Sequence, residues 1–269
     1  METLKNIRKA GNRGAFYPYT CEEIERFITL FNRSTDELPN KKLLTIKPKA
    51  IIAPHAGYIY SGFTANAAHK TLANSQPQTI VVIGPSHHVF IDGISAGMAK
   101  YYETPCGDLE TDIPLLEELD RKFSFDFNET AHYKEHSTET QMPFIAHYNP
   151  QARIIELIYG RTSYQEIAGI IEYILQKPET AVVISSDLSH FYDLAYAEKL
   201  DSLCLKAVQD QNMLLFDQGC EACGITGIKA ITKVALDKKL HSGILDYRTS
   251  ADASGDTQRV VGYMSAVFW

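Results

Sequence analysis

Mostly apolar residues recur in short runs at residues 49–53, 80–83, 153–158, 181–185 and 260–268, set off by polar, glycine or proline positions. Runs of this length, rich in isoleucine and valine, predict β-strands covered on both faces. Between them the apolar positions change to helical spacing. Ile24, Phe27, Ile28 and Phe31 lie three, one and three residues apart, which predicts a helix over 21–31. Comparable stretches predict helices over 63–72, 112–122, 164–175, 194–209 and 226–236. Strand and helix therefore alternate, and a crossover helix is what parallel pairing of successive strands requires. The expected fold is a single-domain α/β/α sandwich over residues 1–269 with a mainly parallel or mixed sheet, to which 99–107 and the tail after Gly243 add antiparallel edge strands. Residues 57–62 are expected to form a loop, and the polar segment 36–42 a turn-like link within the one domain.

Composition narrows the classes of partner. Of 269 residues, 45% are hydrophobic and 22% charged, an ordinary globular balance with enough apolar chain for a large core. With 33 acidic residues against 26 basic ones and no basic tract, the net charge of −7 leaves no electrostatic footprint for nucleic acid or an anionic membrane. No apolar run approaches the roughly 20 residues that span a bilayer, and residues 1–6 lack the apolar segment of a secretory leader. Five scattered cysteines argue against a disulfide framework and for a reducing compartment, so a cytoplasmic location is expected.

Three of the predicted strands lead into histidine: Ala53-Pro54-His55, Gly84-Pro85-Ser86-His87-His88, and Ser185-Ser186-Asp187-Leu188-Ser189-His190. In open α/β sheets ligands bind at the carboxyl edge of the strands, so three imidazoles delivered there suggest a metal site. A single histidine at a strand end is more often a hydrogen-bonded structural residue; the repetition favours the site. Adjacent side chains in extended chain point apart, so one of His87 and His88 is a ligand and the other packs or orients, with His87 favoured. Asp187 and His190 would share a face if a helical turn follows the strand, letting Asp187 orient a proton-handling His190. The competing reading is an aspartate cap with an exposed histidine.

The polar segment Glu135-His136-Ser137-Thr138-Glu139-Thr140-Gln141, if helical, puts Glu135 and Glu139 on one face. It is either a solvated surface or a second wall of the pocket, with His136 and Glu139 beside the ligands. A lone Cys-x-x-Cys, Cys220 and Cys223, lacks the partner pair of a structural zinc site. A thiol just before a helix starting near Ile225 would have its thiolate favoured by the helix dipole, as suits a metal ligand, and the spacing suggests an oxidation-sensitive pair. There is neither a nucleophile elbow nor a phosphate-binding glycine loop, so no organic cofactor is expected.

Several blocks, taken in order, resemble the Memo family, whose bacterial members are called AmmeMemoRadiSam system protein B. They are Ala15-Phe16-Tyr17-Pro18, Ala53-Pro54-His55-Ala56-Gly57-Tyr58, Gly84-Pro85-Ser86-His87-His88, Glu135-His136-Ser137-x-Glu139, Ser185-Ser186-Asp187-x-x-His190 and Cys223-Gly224. The resemblance implies a fold like that of the class III extradiol dioxygenases, which hold non-haem iron through two histidines and a glutamate. In Memo proteins a cysteine replaces the glutamate. The implied metal ligands are therefore His55, His87 and Cys223, with His190 matching the dioxygenase acid/base, Asp187 beside it, and Tyr58, His88, His136 and Glu139 as candidates around the pocket. A thiolate in place of a carboxylate favours iron or copper, with zinc also accommodated. After Cys223-Gly224 the chain lacks the Arg-His-Pro of the eukaryotic proteins, which alters the pocket's charge.

These expectations describe a metal-binding protein acting as an oxidoreductase on a small molecule or short peptide. Two alternatives use the same cleft: a metal-assisted hydrolase, and a non-catalytic peptide- or metal-binding protein in which Phe16, Tyr17, Tyr58, Tyr60 and Phe191 line the groove.

Overall fold

The long apolar runs become the centre of one mixed sheet. In the computed structural model, which describes residues 5–38 and 40–269, these are β2 (Ala50–Ala53), β3 (Thr79–Pro85), β7 (Arg153–Tyr159) and β8 (Thr180–Ser185), following the short β1 (Lys5–Arg8). Residues 1–4 and Pro39, parts of the segments read above as leaderless and turn-like, lie outside the described residues. β2, β8, β3 and β7 pair in parallel in that order. Antiparallel strands flank them: β4 (Ile94–Ala96) beside β7, and β11 (Val260–Phe268) beside β2, with β10 (Ser242–Thr249) outside β11. The central strands carry apolar side chains on both faces because both are covered. Ile52, Val81, Ile83, Val182 and Ile184 meet one core, while Ile51, Ile80, Val82 and Val183 meet the other.

Helices α1 (Cys21–Ser34) and α2 (Tyr58–Leu72) lie over the second core. Over the first lie α3 (Ile113–Phe123) and, after the short α4 (Glu129–Tyr133), α5 (His136–Glu139) and α6 (Met142–Tyr148), the long α7 (Tyr164–Leu175), α8 (Leu194–Gln209) and α9 (Ile225–Lys238). Capping sets several starts. Thr20 and Ser163 form reciprocal boxes with Glu23 and Glu166, and Asp112 and Asp193 accept from the first turns of α3 and α8.

Some expectations change. The loop read over 57–62 is helix from Tyr58 onward, because Gly57 caps it with an extended backbone and accepts from Tyr60 and Ser61. The helix read over 63–72 is there, and only its first turn is missed, since a helix buried on nearly every side has no single apolar stripe by which to trace its start. Residues 99–107 do not join the main sheet: β5 (Ala99–Tyr102) forms a separate three-stranded sheet with β1 and β6 (Leu109–Glu110). Nor do the cysteines stay apart. Cys21 bonds to Cys106 and Cys204 to Cys220, leaving Cys223 free, so Cys220 and Cys223 are not the pair that their spacing suggests. Separations of 85 and 16 residues close only in three dimensions. No helix among the described residues is long and apolar enough to cross a membrane.

Candidate metal centre

Parallel pairing sets Ala53 opposite Ser185 and Ile83 opposite Ile184, so the residues that follow β2, β8 and β3 emerge side by side. His55 follows β2, Asp187 follows β8 and His87 follows β3. Asp187 fixes the first turn: its buried Oδ1 accepts the backbone N–H groups of His55 at 2.7 Å and Ala56 at 3.3 Å. Burial raises its pKa, against the pull of those two donors.

Ser185 decides the tautomer of His55. Its hydroxyl donates to the Ser137 carbonyl and accepts from Gln141 Nε2 at 2.9 Å. Toward His55 Nδ1, also at 2.9 Å, it is therefore an acceptor, and the hydrogen bonding assigns the proton to Nδ1. His55 Nε2 is left bare and faces Cys223 Sγ at 3.2 Å. Gln141 is itself held, donating to the Pro54 carbonyl at 3.0 Å and taking His69 Nε2 on Oε1 at 2.7 Å. Burial, followed by the proximity of His87, keeps the His55 pKa well below the usual imidazole range. A neutral imidazole with one bare nitrogen is the form that binds metal.

His87 is set the same way from the other side. Glu135 receives its backbone N–H on Oε2 at 2.6 Å and its Nδ1–H on Oε1 at 2.8 Å, leaving Nε2 for the cleft. Burial pushes the Glu135 carboxyl up, but the hydrogen bonds from His87 and from Ser137 N outweigh it and hold the pKa at about 2. Glu135 is not in a helix with Glu139 on a shared face; it is the N-cap of α5. That short helix sits close on β3, because a Cβ on Gly84 would lie 2.7 Å from Ser137 Oγ.

His136 opens α5, stacked on Phe16 at 4.4 Å and facing His87 at 4.4 Å. Its buried Nδ1 has no hydrogen-bond partner among the described residues. Burial, then the neighbouring His55 and His87, lowers its pKa to about 4. One nitrogen each from His55, His87 and His136 lies within 4.8 Å of the others. A residue read from sequence as a neighbour of the ligands thus stands at ligand distance. His88 is exposed, with its ring 5.7 Å from that of His136.

Cys223 precedes Gly224, the N-cap of α9, and its Sγ also accepts from Asp187 N at 3.3 Å. Gly224 is required by close approach: a Cβ there would stand 2.6 Å from Ser186 Cβ. The helix terminus does not give a free thiolate here. Burial pushes the thiol up to about 12, outweighing the donors around it. A bound cation would replace that proton. His190 lies not on a helical turn but at the start of β9 (His190–Tyr192), paired with β11, so it does not share a helix face with Asp187. It shares an open cleft of about 390 Å³ with Leu188, Ala222 and Cys223.

Tyr58 is buried against Phe144 with its hydroxyl on the Thr140 carbonyl, and Tyr17 is buried too; Tyr60 and Phe191 are exposed. Glu139 ties the N-terminal loop to α5, accepting from Arg8, Gly11, Asn12 and Tyr17. Sequence reasoning missed Glu135, Ser185, Gln141 and His69 as supports of the imidazoles. The first three sit inside the blocks singled out above, whereas His69 carried no signal within its buried helix. Two oriented imidazoles, a third within reach and a thiol make a borderline-soft donor set that fits iron, copper or zinc.

The profile of the family described as Memo-like proteins matches residues 8–267. A MEMO1 family protein of Aquifex aeolicus is 31% identical, covering 97% of this chain and 99% of the relative. Another from Methanocaldococcus jannaschii is 30% identical, covering 98% and 99%, and one from Nitrosopumilus maritimus is 26% identical, covering 97% and 99%. Among solved structures, an uncharacterised Escherichia coli protein shares the fold with a TM-score of 0.54 at 13% identity, over 82% of this chain and all of that one. The near-complete match of profile and relatives, over the segments that carry His55, His87, Asp187 and Cys223, means that this chain belongs to the Memo-like family.

Proposed function

We propose that the cleft at the carboxyl edge holds one transition-metal ion through His55, His87 and Cys223, and that the protein acts as a metal-dependent oxidoreductase on a small molecule or short peptide. The observation that carries this reading is the bare His55 Nε2 facing Cys223 Sγ at 3.2 Å, with His87 Nδ1 tied back by Glu135 and a nitrogen of His87 within 4.8 Å of one of His55. Cys223 is not within that distance of both imidazoles, so the ion would draw the thiolate toward His87. When bound, iron or copper supplies electron-transfer chemistry, and zinc a Lewis acid. Ser185 and Glu135 hold the two rings in their binding tautomers. Asp187 keeps the turn after β2 in register with β8, and His136 backs the site with a neutral ring. His190, which shares an open pocket with Cys223, is the group proposed to take or give a proton at substrate.

The test compares iron-, copper- and zinc-loaded protein, disulfides intact, against a panel of small phenols, thiols and short peptides. Product is expected only with iron or copper in the presence of oxygen. His190→Ala should keep its metal and lose turnover. Turnover with zinc in the absence of oxygen would replace this reading by metal-assisted hydrolysis. Ligand binding with no product in any metal form would replace it by capture.

A further inference from the structure

The disulfide between Cys21 and Cys106 has a neighbour that a cystine does not use. One donor atom each from Cys21, Glu25 and Cys106 lies within 4.8 Å of the others, and all three residues are partly exposed. Three separate parts of the fold build this cluster. Cys21 opens α1 directly after its cap Thr20, and Glu25 follows one turn later on the same face. Cys106 sits in the turn between β5 and β6, where Thr104 Oγ1 accepts Cys106 N at 3.1 Å and donates to the Gly107 carbonyl at 2.6 Å. From α6, His147 Nδ1 holds Glu25 Oε1 at 2.6 Å. Neutral sulfurs gain little from an adjacent carboxylate. Two thiolates gain a cation, and a carboxylate oriented by an imidazole is a familiar third ligand for zinc. At the first turn of a helix, the Cys21 thiolate is also favoured by the backbone dipole.

We propose that in the reduced chain Cys21, Glu25 and Cys106 bind a thiophilic divalent cation, zinc first among them, with His147 orienting Glu25. Disulfide and metal are then alternative ties between α1 and the β5–β6 turn. The exchange balances with a small dithiol as reductant. It transfers two electrons and two protons, the Cys21–Cys106 bond breaks, and the dithiol closes into its own disulfide. Cation binding releases the two thiol protons, and water fills the remaining position. The site lies outside the His55 cleft and does not depend on the reading given to it.

The full chain, oxidised or reduced by excess dithiol that is then removed without oxygen, is titrated with zinc ion alone and with cobalt(II) as a reporter of thiolate ligation. Reduction is expected to add about one ion per chain. The added thiolate-to-cobalt absorption should vanish in Cys106→Ser, and Glu25→Ala should weaken binding about 10–100-fold. Zinc should also shield Cys21 and Cys106 from alkylation in the reduced unmodified chain, a readout that needs no variant to fold. Equal metal uptake before and after reduction, added absorption retained in Cys106→Ser, or both thiols alkylated at the same rate with and without zinc would overturn the proposal.

Discussion

Two imidazoles of the cleft each depend on one neighbour that fixes the proton: Ser185 for His55 and Glu135 for His87. Glu135 is the more demanding of the two, since it takes both the ring and the backbone N–H of the same residue and also Ser137 N. Replacing it with glutamine preserves the shape but removes the charge that strengthens those bonds. Glu135→Gln is expected to lower metal affinity about 10–100-fold, the usual cost of losing an outer partner of a ligand. Competition with a chromophoric chelator measures it, and an unchanged affinity would remove Glu135 from the site's support. At this scale the sequence was informative about residue type and poor about direction. His55 and His87 stand out because apolar runs end in them. That His136 turns inward beside them, or that Glu135 rather than Glu139 reaches His87, depends on a short helix whose start a spacing argument does not locate.

The elements follow from different amounts of local information. β3 and β8 are readable because unbroken apolar runs have few other uses, β7 and β11 because one or two polar or glycine positions do not mask theirs, and α7 and α8 by their helical spacing. The small sheet and the two disulfides are not, since β1 meets β5, and Cys21 meets Cys106, only through the folded arrangement. One contact between elements bears directly on the site. Gly84 lets α5 lie against β3, and an added Cβ would come within 2.7 Å of Ser137 Oγ and 3.0 Å of Thr138 Cγ2. Gly84→Ala should therefore push α5 away, at about 1–3 kcal/mol of stability, and weaken metal binding by carrying Glu135 off His87. Urea unfolding and metal titration together check it. Lost stability with intact affinity would mean that the seat of α5 does not set the cleft.

At the scale of the whole molecule, two buried groups, His69 and Glu156, make stability fall as the solution is acidified. His69, fully buried on α2, has its pKa lowered by burial to about 4 from 6.5. Between those values the unfolded chain binds the proton that the folded one refuses, so stability falls as pH drops from 6.5 toward 4. The contribution is roughly 3 kcal/mol across that window. Glu156 acts further down. Burial raises it, but Arg8 and His132 hold it at about 2, so its stabilisation is present above 4.5 and lost as pH falls toward 2. His69→Gln, which keeps a donor for Gln141, should flatten the fall between pH 6.5 and 4 in urea midpoints of metal-free protein. An unchanged slope would contradict this assignment.

The central claim is that two imidazoles and one thiolate of a single cleft share a metal ion. X-ray absorption at the iron edge, on protein with both disulfides intact and loaded anaerobically with one equivalent of ferrous ion, tests it most directly. The account predicts imidazole scattering together with one sulfur at about 2.3 Å, the ordinary metal–thiolate bond length, with the sulfur lost in Cys223→Ser and binding abolished in His55→Ala. A spectrum with nitrogen and oxygen neighbours alone, unchanged in Cys223→Ser, would contradict it and give the third position to His136.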